Sequence, residues 1–218
     1  MNIAIIPARS GSKRIKNKNI LMFNKRPMIA HIIKKLKKSK IFDKIIVSTD
    51  SKKISTIANK YGAETPFIRP SKLSGDTATS ISVVKHAIKF LIYKNIKIEN
   101  ICMVYATAPH IKTKNLKLGL DFIRNLDVNF VFPASKLERK IKKSFFVNPD
   151  FYISKLKKRG ALNYLDSGQF YWAKYNTWLK NRSVFIEKSK IINISPLENI
   201  DLNTNKDLKK LRQYFKLK

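Results

Sequence analysis

The amino-terminal stretch Asn2-Ile3-Ala4-Ile5-Ile6-Pro7-Ala8-Arg9-Ser10-Gly11-Ser12-Lys13-Arg14-Ile15-Lys16-Asn17-Lys18-Asn19 joins an apolar run directly to a polar, basic one. Residues 3–7 are short, partly β-branched and read as a buried strand. The segment that follows would then lie at the carboxyl end of that strand, where open α/β sheets bind ligands. Small residues at 10 to 12 allow backbone N–H groups to approach an anion, and Arg9, Lys13 and Lys18 supply positive charge. The stretch matches neither the G-x-x-x-x-G-K-[ST] loop nor the G-x-G-x-x-G dinucleotide turn. Two readings stand, a phosphate-binding loop and a solvated basic loop, and the position after strand one favours the first.

Further apolar runs at 44–48, 101–105, 130–133 and 191–195 are bounded by turn residues and read as more strands of a mainly parallel sheet. Helical patterns lie between them. Pro27 suits a first turn, and Met28, Ile29, Ile32, Ile33 and Leu36 form one apolar face. Residues 51–60 make a second helix, ended by Tyr61-Gly62. Ile81, Val84, Ile88 and Leu91 form another stripe, as do Leu116, Leu120 and Ile123, and Leu208, Leu211 and Phe215 mark a closing helix. Alternating strands and helices predict an α/β protein, a three-layer α/β/α sandwich. The alternation breaks at about 134–165, so the expected organisation is a single domain, 1–218, with an insertion there that leaves the sheet. Phe145, Phe146, Phe151 and Tyr152 in the insertion would make an apolar patch that calls for a partner surface.

The chain has 218 residues, of which 46 are Lys or Arg and 14 Asp or Glu, a formal charge of +32. Lysines recur on every expected helix, without one basic arm, so the charge reads as a solvated surface rather than a specific nucleic-acid interface. Salt-sensitive, nonspecific adhesion to polyanions is still expected. The amino terminus lacks a signal-peptide pattern, and no apolar run approaches the ~18 residues of a membrane span. The lone cysteine, Cys102, falls in an expected buried strand and suits a reducing, cytoplasmic setting. His31 and His86 fall within helices without a second ligand at metal spacing, and Trp172 and Trp178 are expected to pack the insertion or a dimer contact.

Two other stretches carry candidate chemistry. Residues 69–80, Arg69-Pro70-Ser71-Lys72-Leu73-Ser74-Gly75-Asp76-Thr77-Ala78-Thr79-Ser80, run into a helix that Asp76 or Thr77 could cap. A loop contacting a base or ribose is the alternative. Asp201-Leu202-Asn203-Thr204-Asn205-Lys206-Asp207 precedes the last helix, and its oxygen ligands suit Mg²⁺ beside phosphates, or else cap the helix through Asn203 or Thr204.

Taken in this order, the three stretches resemble the acylneuraminate cytidylyltransferase family, over nearly the whole chain. Val104-Tyr105-Ala106-Thr107-Ala108-Pro109 and Asp166-Ser167-Gly168-Gln169-Phe170-Tyr171-Trp172 are similar to segments of the family's pseudaminic acid branch. The resemblance implies a nucleotide-diphospho-sugar transferase-like sandwich whose insertion serves dimerisation. It implies catalytic roles for Arg9 and Lys18 and a nucleotide site of Ala8, Arg9, Ser12, Lys13, Asn19, Ala78 and Ser80. Arg159 and Gln169 would hold the sugar acid, and Asp201 and Asn203 the metal, Mg²⁺. Ser10 stands for a usual glycine, and Asn203 for the second aspartate of the family's metal motif, which implies a site with fewer carboxylates. The reaction implied is transfer of CMP from CTP to a nonulosonic acid, pseudaminic acid first, with release of pyrophosphate. N-acetylneuraminic, legionaminic and 3-deoxy-octulosonic acids are the alternatives, and a nucleic-acid-binding protein on a retired enzyme scaffold is the alternative of another class.

Overall fold

A computed structural model of the chain describes residues 1–138, 141, 144–154 and 161–217. The first half runs β1 (Asn2–Pro7), a hairpin of β2 (Met22–Phe23) and β3 (Arg26–Pro27), α1 (Met28–Ser39), β4 (Lys44–Ser48), α2 (Lys52–Lys60), α3 (Ser80–Tyr93) and β5 (Asn100–Val104). Next come α4 (Thr113–Asn125), β6 (Val131–Lys136), β7 (Phe145–Val147), β8 (Ile153–Ser154), β9 (Leu162–Asp166) and β10 (Phe170–Lys174). α5 (Tyr175–Lys180), β11 (Lys190–Asn193) and α6 (Asn205–Lys216) complete the chain. One sheet takes the order β4-β1-β5-β10-β6-β9-β7-β8, with β11 also paired to β6. Among the described residues β10, β9 and β8 run against the other six strands, so the sheet is mixed and mainly parallel.

Alternation along β1 explains the layers. Ala4 and Ile6 face a cluster with Ile29, Ile32 and Leu36 of α1, Ile54 of α2, and Leu116 and Leu120 of α4. Ile3 and Ile5 face the opposite side, with Val84, Ile88 and Leu91 of α3 and Trp178 of α5. A strand covered on both faces needs side chains of this apolar kind at every position, and each buried Ile or Leu contributes roughly 1.5–3 kcal/mol. The helices begin where the chain supplies caps. Ser51 accepts from the Ile54 amide and Thr79 from that of Ser82, while Thr204 and Asp207 form a reciprocal capping box on α6. Thus Thr79 caps α3, leaving Asp76 and Thr77 without that duty, whereas the expected cap at Thr204 is found.

The segment expected to leave the sheet instead extends it. β6 runs to Lys136, and β7, β8 and β9 add to the same sheet by antiparallel pairing. Phe145 is half-buried and meets the rings of Phe132 and Phe185, and Phe146 and Tyr152 are half-buried too. The exposed apolar side chains of this region are Ile141, Phe151, Leu162 and Phe185, among the described residues. The tryptophans belong to the core. Trp172 is fully buried, stacks on Phe42 and donates from Nε1 to the Leu116 carbonyl, while Trp178 donates to that of Ile101. Cys102 is buried in β5, as expected. No helix among the described residues is long and apolar enough to cross a membrane.

β10 has no counterpart in the sequence reading, yet it sits mid-sheet between β5 and β6. Trp172 lies beside Val131, but Ala134 lies beside Asp166, so Ser167-Gly168-Gln169 form a bulge between β9 and β10. Gly168 takes a left-handed φ of 59° there. A third cluster joins Leu208 and Leu211 of α6 to Ile15, Phe23, Ile200 and Leu202. It brings the 201–203 loop against the loop that follows β1.

Candidate active site

A cavity of about 360 Å³ opens where the loop after β1, the loop before α3 and the segment after β5 converge. Arg9, Ser12, Lys13 and Arg14 line one side, with Lys18 and Asn19 behind them. Arg69, Asp76, Ala78 and Ser80 line another, Tyr105 and Thr107 a third, and Asn203 closes the rim. The volume falls in the ordinary range for a small-molecule site.

The basic loop is pinned at three points. Ser10 donates to the Asp50 carboxylate from its amide and its hydroxyl, both at 2.8 Å. Asn19, buried, donates from Nδ2 to the Arg9 carbonyl at 2.9 Å, and Lys18 donates from Nζ to the Leu202 carbonyl at 2.8 Å. Burial lowers the Lys18 pKa below the usual lysine value, an effect that Asp201 opposes and Arg14 and Arg9 reinforce. Arg9 and Lys13 both reach Asp76, each at 2.7 Å. The loop therefore presents several cations on a fixed backbone, which suits an anion with several oxygens.

Arg69 is 4% exposed, yet its Nε and Nη2 find no hydrogen-bond acceptor among the described residues. A buried guanidinium with unused donors carries a desolvation penalty that a ligand acceptor would relieve. Burial lowers its pKa, with Asp50 opposing and Arg9 adding to the shift. Its backbone amide bonds the Thr49 carbonyl at 2.7 Å, which fixes it beside the end of β4. Close by, Ser80 and Tyr105 share a hydrogen bond of 2.7 Å. These groups can read the polar edge of a flat ring.

Behind the cavity lies a carboxylate pair around the bulge. Tyr171 donates its hydroxyl to Asp166, and Gly168 donates its amide to the other Asp166 oxygen at 3.2 Å. Burial pushes Asp166 up to about 6, against the opposing Tyr171 and Gly168 bonds and with help from the Asp201 charge. A Cβ added at Gly168 would stand 3.2 Å from Cγ of Asp201, so that carboxylate rests on the bulge. Asp201 is exposed and accepts from Nδ2 of Asn203, whose Oδ1 accepts from Arg14 at 2.9 Å.

Most of the expected site residues converge. Arg9, Ser12, Lys13, Lys18, Asn19, Ala78, Ser80 and Asn203 all line the cavity. Ala8 does not, being wholly buried at the end of β1 with its amide on the Ser48 carbonyl. Gln169 is also buried, and its Nε2 donates to the Glu198 carbonyl at 2.8 Å, so it ties the 198–203 loop to the bulge instead of facing the cavity. Arg159 lies outside the described residues. Arg69, Tyr105 and Asp166 fall within the sequence motifs, which assign them no role of their own. Their signals, burial of a charge and a hydroxyl pointing at a carboxylate, exist only in three dimensions.

For a divalent ion, the described residues hold no group of three or more His, Cys, Asp or Glu side chains. Magnesium needs fewer, because it keeps waters and shares phosphate oxygens. Asp201 does not line the cavity; its exposed carboxylate lies beside it, bonded to Asn203 at the rim, and is open to such an ion, whereas the Asn203 carbonyl oxygen is engaged by Arg14.

Comparison with known proteins bears on this geometry. The family model described as cytidylyltransferase matches residues 3–210. The chain is 34% identical to a Campylobacter jejuni protein named pseudaminic acid cytidylyltransferase, over 99% of this chain and 97% of the relative. It is 28% identical to the Legionella pneumophila CMP-N,N'-diacetyllegionaminic acid synthase, over 93% and 90% of the two chains. The structure of a CMP:2-keto-3-deoxy-manno-octonic acid synthetase complexed with CTP superimposes with a TM-score of 0.73 at 14% identity, covering 99% of this chain and 98% of that one. That likeness bears on the fold.

Proposed function

This chain belongs to the cytidylyltransferase family, and from that premise we propose that it transfers CMP from CTP to a nonulosonic acid, pseudaminic acid, releasing pyrophosphate. The observation that carries the reading is the cavity: Arg9, Lys13, Arg14 and Lys18 gather on one side and, on another, the buried donors of Arg69 that have no acceptor among the described residues. Four cations on a pinned loop match a triphosphate, and Arg69 beside Ser80 and Tyr105 matches the carbonyl edge of a pyrimidine.

The sugar's anomeric hydroxyl attacks the α-phosphorus as its proton passes to solvent, a new O–P bond forms, and the bond to the α–β bridging oxygen breaks as pyrophosphate leaves. Charge builds on phosphate oxygens through this exchange, so the residues act by position and neutralisation rather than by covalent chemistry. Arg9 and Lys18, which line the cavity, would stabilise the α-phosphate and the leaving group. Asp201 would hold Mg²⁺ together with phosphate oxygens. Once bound, the ion supplies charge neutralisation and lowers the pKa of the attacking hydroxyl. Pseudaminic acid is preferred among sugar acids because the chain is 34% identical to the Campylobacter jejuni protein and 28% identical to the Legionella pneumophila one.

A panel of pseudaminic, legionaminic, N-acetylneuraminic and 3-deoxy-octulosonic acids with CTP, scored by pyrophosphate release, tests the assignment. Highest kcat/KM on pseudaminic acid is expected; release with none of the acids would refute the reaction itself. The reading includes a homodimer through the β7–β9 end of the sheet, where Phe151, Leu162 and Phe185 are exposed, and a cytoplasmic site of action, where CTP is made. Light scattering at micromolar concentration should give twice the 25.3 kDa chain mass, and a monomeric mass would count against the dimer.

A further inference from the structure

Five cationic side chains line the cavity, those of Arg9, Lys13, Arg14, Lys18 and Arg69, and among the described residues one carboxylate does, that of Asp76. Its placement is not marginal. Oδ1 accepts from Nη2 of Arg9 at 2.7 Å, and Oδ2 lies 2.7 Å from Nζ of Lys13. An internal carboxylate thus sits on two of the cations assigned above to the triphosphate. The contacts with Lys13, then Arg9, hold the Asp76 carboxyl below its usual range.

Two further features bear on what the carboxylate can do. Thr79 caps α3, so Asp76 is free of that structural duty. Gly75 precedes it on an exposed loop, with open space where a Cβ would stand, so no neighbouring side chain is packed against that point of the loop. The ion pairs are also solvent-exposed, with Lys13 and Asp76 side chains 81% and 50% accessible. Pairs of that kind contribute little net stability and exchange readily.

Resting on the triphosphate reading of the cavity, we propose that Asp76 is an exchangeable counter-ion for the phosphate site. It neutralises Arg9 and Lys13 while the cavity lacks nucleotide, yields them to phosphate oxygens when CTP enters, and returns as pyrophosphate departs. Every phosphate contact with these cations replaces an existing one, so the same carboxylate weakens the hold on CTP and on pyrophosphate. Release of a multiply charged product from so basic a cavity is thereby eased.

The test is calorimetric titration of CTP and of inorganic pyrophosphate into the wild-type protein, Asp76→Asn and Asp76→Glu, each with its melting temperature recorded. Asp76→Asn should bind both ligands roughly three- to tenfold more tightly. Asp76→Glu, which keeps the charge, should stay near wild type, and pyrophosphate should become a correspondingly stronger product inhibitor of Asp76→Asn. Equal or weaker binding by a folded Asp76→Asn would show that the carboxylate orients Arg9 for the nucleotide, and the proposal would be wrong. Absence of binding in the wild-type protein would sink the triphosphate reading and this proposal with it. Binding in the wild type without tightening in the variant would sink this proposal alone.

Discussion

Replacing Gly168 by alanine perturbs two things at once, and the structure separates them. The residue sits at φ 59°, a left-handed conformation in which a Cβ costs about 1–2 kcal/mol. The new Cβ would also stand 3.2 Å from Cγ and 3.3 Å from Oδ1 of Asp201, tighter than ordinary van der Waals contact. Asp201 is exposed and can yield by a few tenths of an ångström, so little extra stability should be lost there. The expected fall in melting temperature is roughly 2–8 °C for a chain of this size. Function should suffer more, because the displaced carboxylate is the proposed magnesium ligand. A misplacement of that order lowers turnover by about 10- to 100-fold and raises the Mg²⁺ concentration for half-maximal rate. Thermal unfolding and pyrophosphate-release assays over a magnesium titration read the two effects independently. Gly62→Ala serves as control, since that glycine also has a positive φ, 90°, but its added Cβ meets only the flexible end of Lys37. It should lose stability and keep its magnesium dependence. If Gly168→Ala melts lower yet turns over at the wild-type rate with unchanged magnesium demand, the bulge does not position a catalytic carboxylate.

Other expectations rest on single groups. Arg9→Ala should lower kcat by roughly 10²- to 10³-fold without unfolding the protein; near-normal turnover would reduce Arg9 to a surface charge. Asp201→Ala should abolish turnover, and Asn203→Asp should lower the magnesium requirement by adding a carboxylate beside Asp201. Unchanged magnesium titrations in both would defeat the metal assignment. Asp166, pushed up to about 6, binds its proton more tightly when folded than unfolded, where the value is near 3.9. Its contribution to stability is therefore full below about pH 4 and lost as pH rises through 6. Asp166→Asn should gain roughly 2–3 kcal/mol relative to wild type between pH 4 and pH 7, and a pH-independent difference in denaturant unfolding would contradict that.

The parallel core was legible because its signals are local. Strands such as Lys44–Ser48 are short apolar runs between turn residues, and Ile29, Ile32, Ile33 and Leu36 show helical spacing directly. The basic loop after β1 was legible for the same reason, since its residues are contiguous. What escaped depends on distant partners. Phe170–Lys174 resembles any apolar segment until it is seen between β5 and β6, where an antiparallel strand interrupts the parallel order. Gln169 looked like a ligand group by its place in a motif, whereas its amide joins a loop 29 residues on. Arg69 is one of many basic residues in the sequence and becomes distinctive only when its burial and unused donors are seen. The aromatic patch expected in the insertion shrinks to Phe151 because Phe145 finds Phe132 and Phe185, pairings that no spacing rule announces.

The antiparallel strand in mid-sheet also governs how the chain reaches this structure. Val104 at the end of β5 pairs with Phe170, so β5 has no neighbour on that side until β10 exists. At ribosomal rates of about 5–20 residues per second, the intervening chain takes on the order of 3–13 s to appear. During that interval Ile101, Cys102, Met103 and Val104 present unpaired amides and carbonyls on an apolar edge, the kind of template that recruits foreign strands. Nascent chains of this protein should accordingly be most prone to misassembly after β5 has emerged and before β10 has. Closing the sheet late also gives the fold many contacts between distant parts of the sequence, which sets a slow refolding rate.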